Sequence, residues 1–187
     1  MSPQAADEST VIAAVRELSG RRRGRSVFVG IDGFGGAGKT TLAAAVAAAV
    51  AAVTVVHVDD FWGPSVAEWD WERFRAQVLL PLLDGRPARY QVWDWDDDVG
   101  GRWREIPPER VVVLEGVSST RREAGVDWAL TVWVDAPAEV RRARAVARDG
   151  EQVWATRWLA DWIPSEQAYA ARERPRERAD LVVGSPV

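Results

Sequence analysis

Apolar positions recur along the chain in two rhythms, and the alternation between them predicts the elements. Val11, Ile12, Val15 and Leu18 share one face of a 3.6-residue repeat, which predicts an N-terminal helix over about residues 5–19, stopped near Gly20. Val27, Phe28, Val29 and Ile31 form a short apolar run of the kind buried on both faces of a parallel sheet. Leu42, Val46, Val50 and Val53 return to helical spacing, and VTVVHV at 53–58 predicts a second strand that ends in Asp59 and Asp60. Trp71, Phe74 and Val78 define a helix over about 70–83, which Pro81 is expected to kink or end. Residues 89–95 and 102–106 alternate around DDDVGG and predict a hairpin. VVVL at 111–114 predicts a buried strand followed by Glu115 and Gly116, and 129–134 a further strand. Then come an arginine-rich helix over 138–148, a longer helix over 152–172 and a last strand at 181–183. Strands and helices alternating with short links predict the α/β class, a doubly wound parallel sheet in three α/β/α layers.

The first strand runs into Gly33-Phe34-Gly35-Gly36-Ala37-Gly38-Lys39-Thr40, which fits the Walker A pattern between a strand and a helix. Glycines let the backbone adopt dihedrals closed to other residues, so successive N–H groups can converge on phosphate oxygens. The positive end of the following helix points at the same spot. Gly33, Gly35, Gly36, Ala37, Gly38, Lys39, Thr40 and Thr41 are therefore expected to hold the phosphates of ATP, with the Thr40 hydroxyl on Mg²⁺. This reading predicts a P-loop NTPase.

Composition narrows the picture. The chain carries 24 basic residues, and Lys39 is its only lysine, where a compact point charge on a flexible stem is wanted. With 187 residues and 47% hydrophobic character, one domain over 1–187 is expected, its core running from residue 26. The absence of cysteine excludes disulfides and thiolate metal sites. A net charge of −4 argues against a dedicated nucleic-acid partner, and no apolar run approaches a membrane span, so a cytoplasmic location is expected. The run RRRGR at 21–25 reads as a solvated connector.

In open parallel sheets ligands bind at the carboxyl ends of strands. Three strands end there in the P-loop, in Asp59-Asp60 and in Glu115. Thr40 plus one or two carboxylates suffices for Mg²⁺, and a second carboxylate can accept a proton from an attacking hydroxyl. Arg141, Arg144 and Arg148 share a helix face from which guanidinium groups could clamp a transferred phosphoryl group. Strand-end acids can equally cap helices, and the arginines can equally form a solvated face. Of the eleven tryptophans, Trp69, Trp71, Trp93, Trp95 and Trp103 could stack on a planar acceptor or serve as packing. Trp154, Trp158 and Trp162, at four-residue spacing, read as a packing stripe, and His57 as a core histidine.

GFGGAGKTTLA followed by HVDDFW, VVVLEGV, WVDAP and RARAVARD resembles the uridine kinase group of P-loop kinases, which includes phosphoribulokinase and bacterial pantothenate kinase. The resemblance covers about residues 26–183 and implies a P-loop fold of the nucleoside-monophosphate-kinase-like type. It implies that Asp59 is the base near the acceptor hydroxyl, that Phe61 and Trp62 lie beside the substrate, and that Glu115 helps bind Mg²⁺. It further implies that Arg144 and Arg148 are lid arginines and that Tyr90 is an aromatic beside a nucleoside base. The hairpin carries Trp93, Asp94 and Trp95 where uridine kinases have a histidine, and the lid after Asp149 is short. The expected activity is transfer of the ATP γ-phosphoryl to a small-molecule hydroxyl, foremost the 5′-hydroxyl of a nucleoside, with Trp95 in the acceptor pocket. A sugar phosphate, pantothenate-like alcohol or antibiotic acceptor, or a regulatory ATPase, stands as the alternative. Oligomeric state is left open, a homo-oligomer included.

Overall fold

The computed structural model describes residues 3–21, 24–63, 69–95, 97 and 99–184. Arg22 and Arg23 of the basic run, and Asp96 and Asp98 at the hairpin tip, lie outside the described residues.

Six parallel strands form the central sheet in the order β1 (Gln4–Ala6), β8 (Leu181–Gly184), β7 (Trp128–Asp135), β2 (Val27–Asp32), β6 (Val111–Glu115), β3 (Val53–His57). Side chains alternate in direction along a strand, so a sheet covered on both faces must be apolar at every position. β6 shows this directly. Val111 and Val113 join the core beneath α1 (Glu8–Arg21) and α2 (Lys39–Ala49), whereas Val112 and Leu114 join a second core on the opposite face. The second core contains Phe61, Phe74, Val78, Tyr90 and Ile106, contributed by a 3₁₀ turn at Val58–Phe61, by α3 (Trp71–Phe74) and its continuation, and by an antiparallel hairpin of β4 (Ala88–Asp94) and β5 (Val99–Ile106). The α/β class and the parallel sheet expected from the sequence are therefore what the chain forms.

One local expectation is corrected, and two helices carry a feature that the sequence did not announce. Gln4–Ala6 is a strand rather than the first turn of a helix; α1 starts at Glu8, where Asp7 accepts the Thr10 N–H at 2.8 Å as an N-cap. Pro81 does not end its helix. A π-helical stretch at Arg75–Leu79 precedes it, with the Leu80 N–H bonded to the Arg75 carbonyl, and α4 (Leu80–Leu83) continues beyond. The widened turn removes the α-type carbonyl position that the proline ring would strike. The long C-terminal helix likewise passes from α6 (Glu151–Val153) through a π-helical stretch at Trp154–Trp162 into α7 (Ile163–Glu173). α5 (Ala138–Asp149) precedes it, and α8 (Pro175–Arg178) leads into β8.

Candidate active site

Strand register assembles the first part of the site. Glu115 is the Cα partner of Ile31 on one side and of His57 on the other, so the ends of β2, β6 and β3 lie level. By parity Glu115 points to the face that carries Val111 and Val113, the face α2 covers. There the Thr40 hydroxyl donates to its two oxygens at 3.2 and 3.3 Å. His57 Nδ1 lies 2.5 Å from Glu115 Oε1. That bond raises the His57 pKa against the opposing effect of burial. His57 is half-exposed and turned to Glu115, so it is not the core histidine expected from the sequence.

The loop between β2 and α2 is a tight cradle. Gly33 has φ +149° and packs so closely that a Cβ there would lie 2.5 Å from the Val134 carbonyl, a place only glycine can fill. Gly38, at φ 102°, caps α2, whose first N–H groups, at Lys39 and Thr40, have no acceptor within the helix. Thr41 follows in the same first turn and is exposed. Lys39 is only 7% exposed, and its Nζ donates to the Phe34 carbonyl at 2.9 Å. That carbonyl also accepts the Ala37 N–H at 3.2 Å. The ammonium is folded onto its own loop, in reach of any anion the amides collect.

The two aspartates after β3 divide. Asp60 is buried, accepts the Tyr90 hydroxyl at 3.1 Å and lies 3.8 Å from Arg104, which ties the hairpin to the sheet. Asp59 is exposed to solvent, close enough to Glu115, Lys39, His57 and Arg148 for their charges to act on it. Desolvation raises its pKa and the charge of Glu115 adds to it, against Lys39, His57 and Arg148. Arg148 feels Asp59 in return and is paired with Asp149 at 2.8 Å. From the same helix, Arg144 donates to the Gly36 and Ala37 carbonyls at 3.3 and 3.4 Å, and Arg141 stacks on the Phe34 ring at 4.7 Å. Arg141 and Arg144 thus face the cradle, while Arg148 lies over the Trp158 ring.

The aromatic residues separate by depth. Phe61 and Tyr90 are buried and stack on one another, centroids 5.0 Å apart, within the second core. Trp62 and Trp95 lie against one another with their rings tilted by 34° and centroids 4.6 Å apart, with Trp93 edge-on to Trp62 at 5.7 Å, and Trp95 is 49% exposed. Trp62 and Trp95 are therefore the accessible pair of the expected substrate residues, whereas Phe61 and Tyr90, expected beside the substrate, are packed within the second core.

Two further residues escape a reading of motifs. Asp32, the last residue of β2, is buried and gathers the Gly33 N–H, the Ser118 and Thr120 N–H groups and the hydroxyls of Thr120 and Tyr169. It fixes the cradle to the loop after β6. Glu166, on α7, accepts the Gly35 N–H at 3.0 Å. Among the described residues no cluster of three or more His, Cys, Asp or Glu could by itself hold a metal, and no helix is long and apolar enough to cross a membrane.

Solved structures share this fold. A candidate fructose transport system kinase from Silicibacter sp. superposes with a TM-score of 0.75 at 24% identity, covering 95% of this chain and 98% of its own. A candidate uridine kinase from Bacillus stearothermophilus superposes with a TM-score of 0.64 at 21% identity, covering 93% and 99%. No family model matches the chain. Two inorganic pyrophosphatases of Arabidopsis thaliana are 27% and 28% identical over 117 and 120 residues, 57% of this chain but only 18% and 17% of theirs. The match thus spans less than a fifth of the length of those curated relatives.

Proposed function

We propose that this chain, whose fold is that of the small-molecule P-loop kinases it superposes on, is itself an ATP-dependent phosphotransferase acting on a small hydroxyl compound, foremost the 5′-hydroxyl of a nucleoside. The observation that carries the reading is the convergence of Lys39, Thr40, Glu115 and Asp59 at the ends of three adjacent strands, with Arg144 and Arg148 facing them. Lys39 would leave the Phe34 carbonyl for the β- and γ-phosphates, beside the N–H groups at the start of α2. The donor set suits Mg²⁺, a hard cation that needs few protein oxygens when phosphates supply the rest; Thr40 and Glu115 would hold it. Bound there, Mg²⁺ would neutralise charge on the phosphate oxygens. Asp59 would accept the proton of the acceptor hydroxyl as its oxygen bonds to the γ-phosphorus and the bond to the ADP oxygen breaks. Arg144 and Arg148 would balance the charge spread over the transferred group. Trp62 and Trp95 would hold a planar ring against the cleft. The reaction would run in the cytoplasm on a soluble acceptor.

Incubation with MgATP and a panel of nucleosides, sugar phosphates and small alcohols tests this. The expected result is ADP release that depends on one acceptor class and matches phosphorylated product mole for mole. Release of inorganic phosphate from ATP or pyrophosphate with no acceptor effect would replace the kinase with a hydrolase, the activity named for the Arabidopsis relatives, or with a regulatory ATPase. A second expectation concerns the metal. Glu115→Gln keeps the shape and loses the charge, so the Mg²⁺ concentration for half-maximal activity should rise by about tenfold or more, read by titrating Mg²⁺ at saturating ATP.

A further inference from the structure

The buried face of α7 carries Glu166, Tyr169 and Glu173. Tyr169 donates its hydroxyl to Asp32 at 2.7 Å, and Glu173 receives the Arg122 N–H at 2.9 Å and Arg178 at 3.1 Å. Glu173 Oε1 has no hydrogen bond but lies 3.6 Å from Arg172; Glu166 differs in sitting against the phosphate cradle. Its Oε1 accepts one N–H from the phosphate cradle, at Gly35, while its Oε2 is buried and has no hydrogen-bond partner. A buried carboxylate oxygen without a donor is costly, and a structure keeps one only for a reason.

The charged groups facing Glu166 are Lys39 from α2, Arg141 from α5 and Asp32 from β2. Desolvation raises its pKa, against Lys39 and the Gly35 N–H. Lys39 is also the cation that incoming phosphates would claim. A phosphate chain seated beside Gly35 and Lys39 would place new negative charge next to Glu166 and draw its counter-charge away. Two anions so close in a desolvated site do not both remain ionised. Withdrawal of the carboxylate is opposed from both sides. Tyr169 anchors α7 to Asp32, and the Trp158 indole, held by Asp149 at 2.9 Å, packs against Gly35, where a Cβ would collide with the ring. Magnesium-bound phosphates are weaker bases than such a carboxylate, so the proton goes to the protein.

We propose that Glu166 is the resident counter-anion of the cradle and that it takes up one proton when the phosphate chain of a nucleotide is seated. Oε2 then becomes an O–H donor to a phosphate oxygen seated beside it, which gives the unpartnered atom a partner. The inference rests on the proposed nucleotide binding and adds a proton to it.

Calorimetric titration of the full chain with MgADP near about pH 8, in buffers of different ionisation enthalpy, reads the proton directly. The expected uptake is about one proton per site, with affinity falling toward about tenfold per pH unit on the alkaline side. Glu166→Gln keeps an oxygen for the Gly35 N–H, and should abolish the uptake and flatten that pH dependence while MgADP still binds. Binding without proton exchange in the parent protein overturns the proposal and leaves nucleotide binding intact. Uptake that persists in Glu166→Gln also overturns it, and moves the proton to Asp59 or to the His57–Glu115 pair. Failure of MgADP to bind the parent protein would overturn the nucleotide reading itself. Should Glu166→Gln not fold, the infrared difference spectrum of the parent protein on adding MgADP decides: a new protonated-carboxyl carbonyl band supports the proposal, and its absence overturns it.

Discussion

Lys39→Ala should bind MgATP weakly and turn it over at about a hundredth to a thousandth of the parent rate, since removing one preorganised charge from a phosphoryl-transfer site costs on the order of 10²–10³ in kcat. The expectation follows from isolation. Lys39 is the only lysine in the chain, it is 7% exposed, and its ammonium already sits inside the loop on the Phe34 carbonyl. The arginines nearby do not substitute for it. Arg144 is bonded to the outer carbonyls of the cradle at Gly36 and Ala37, and Arg141 lies over the Phe34 ring. Lys39→Arg should fail almost as completely, because a planar guanidinium does not fit a cavity shaped around a narrow stem and a point charge. Single-turnover kinetics with MgATP and equilibrium binding of MgADP separate the two effects. A Lys39→Ala protein that bound MgADP as tightly as its parent would remove the basis for a phosphate cradle here.

The sheet is legible because strands covered on both faces leave apolar runs. The 111–114 segment shows it best, Val111 and Val113 turning to one core, Val112 and Leu114 to the other. β1 leaves no such trace. Gln4–Ala6 is three residues long with two exposed, and it forms because β8 offers an edge to pair with. The strand-end acids and the glycine loop could be read from spacing, since register brings β2, β6 and β3 level. What spacing cannot supply is depth. His57 has the parity of Val53 and Val55, which pack on the first core, so it reads as core; at the last residue of β3 that face opens onto Glu115 instead. The stripe of Trp154, Trp158 and Trp162 does pack together, Trp154 stacked on Trp158 at 5.7 Å and Trp162 edge-on to it at 5.1 Å, but only the folded chain shows Trp158 lying on Gly35. Glu166 hides for the same reason. A glutamate in the first turn of a surface helix looks solvated until its neighbour proves to be the phosphate loop.

Asp59→Asn should keep MgADP affinity near that of the parent and lose about 10²–10⁴ in kcat, the usual contribution of a positioned general base. Asparagine fills the same volume and keeps a hydrogen-bond acceptor for the acceptor hydroxyl, so orientation survives while proton abstraction does not. The pH profile carries the sharper test. A base works only when ionised, so the parent rate should climb with pH through the pKa of Asp59. Because desolvation and the neighbouring Glu115 raise that pKa, the climb should lie on the alkaline side of the usual carboxylate range. In Asp59→Asn this acidic limb should vanish. Asp60→Asn provides the contrast, since Asp60 is buried against Tyr90 and Arg104 and ties the hairpin down. It should lower the melting temperature while leaving the acidic limb in place, because the proton acceptor is untouched. If instead Asp60→Asn erased the limb and Asp59→Asn retained it, the base would be the buried aspartate and the cleft would have to open toward the hairpin, with Tyr90 as part of its wall.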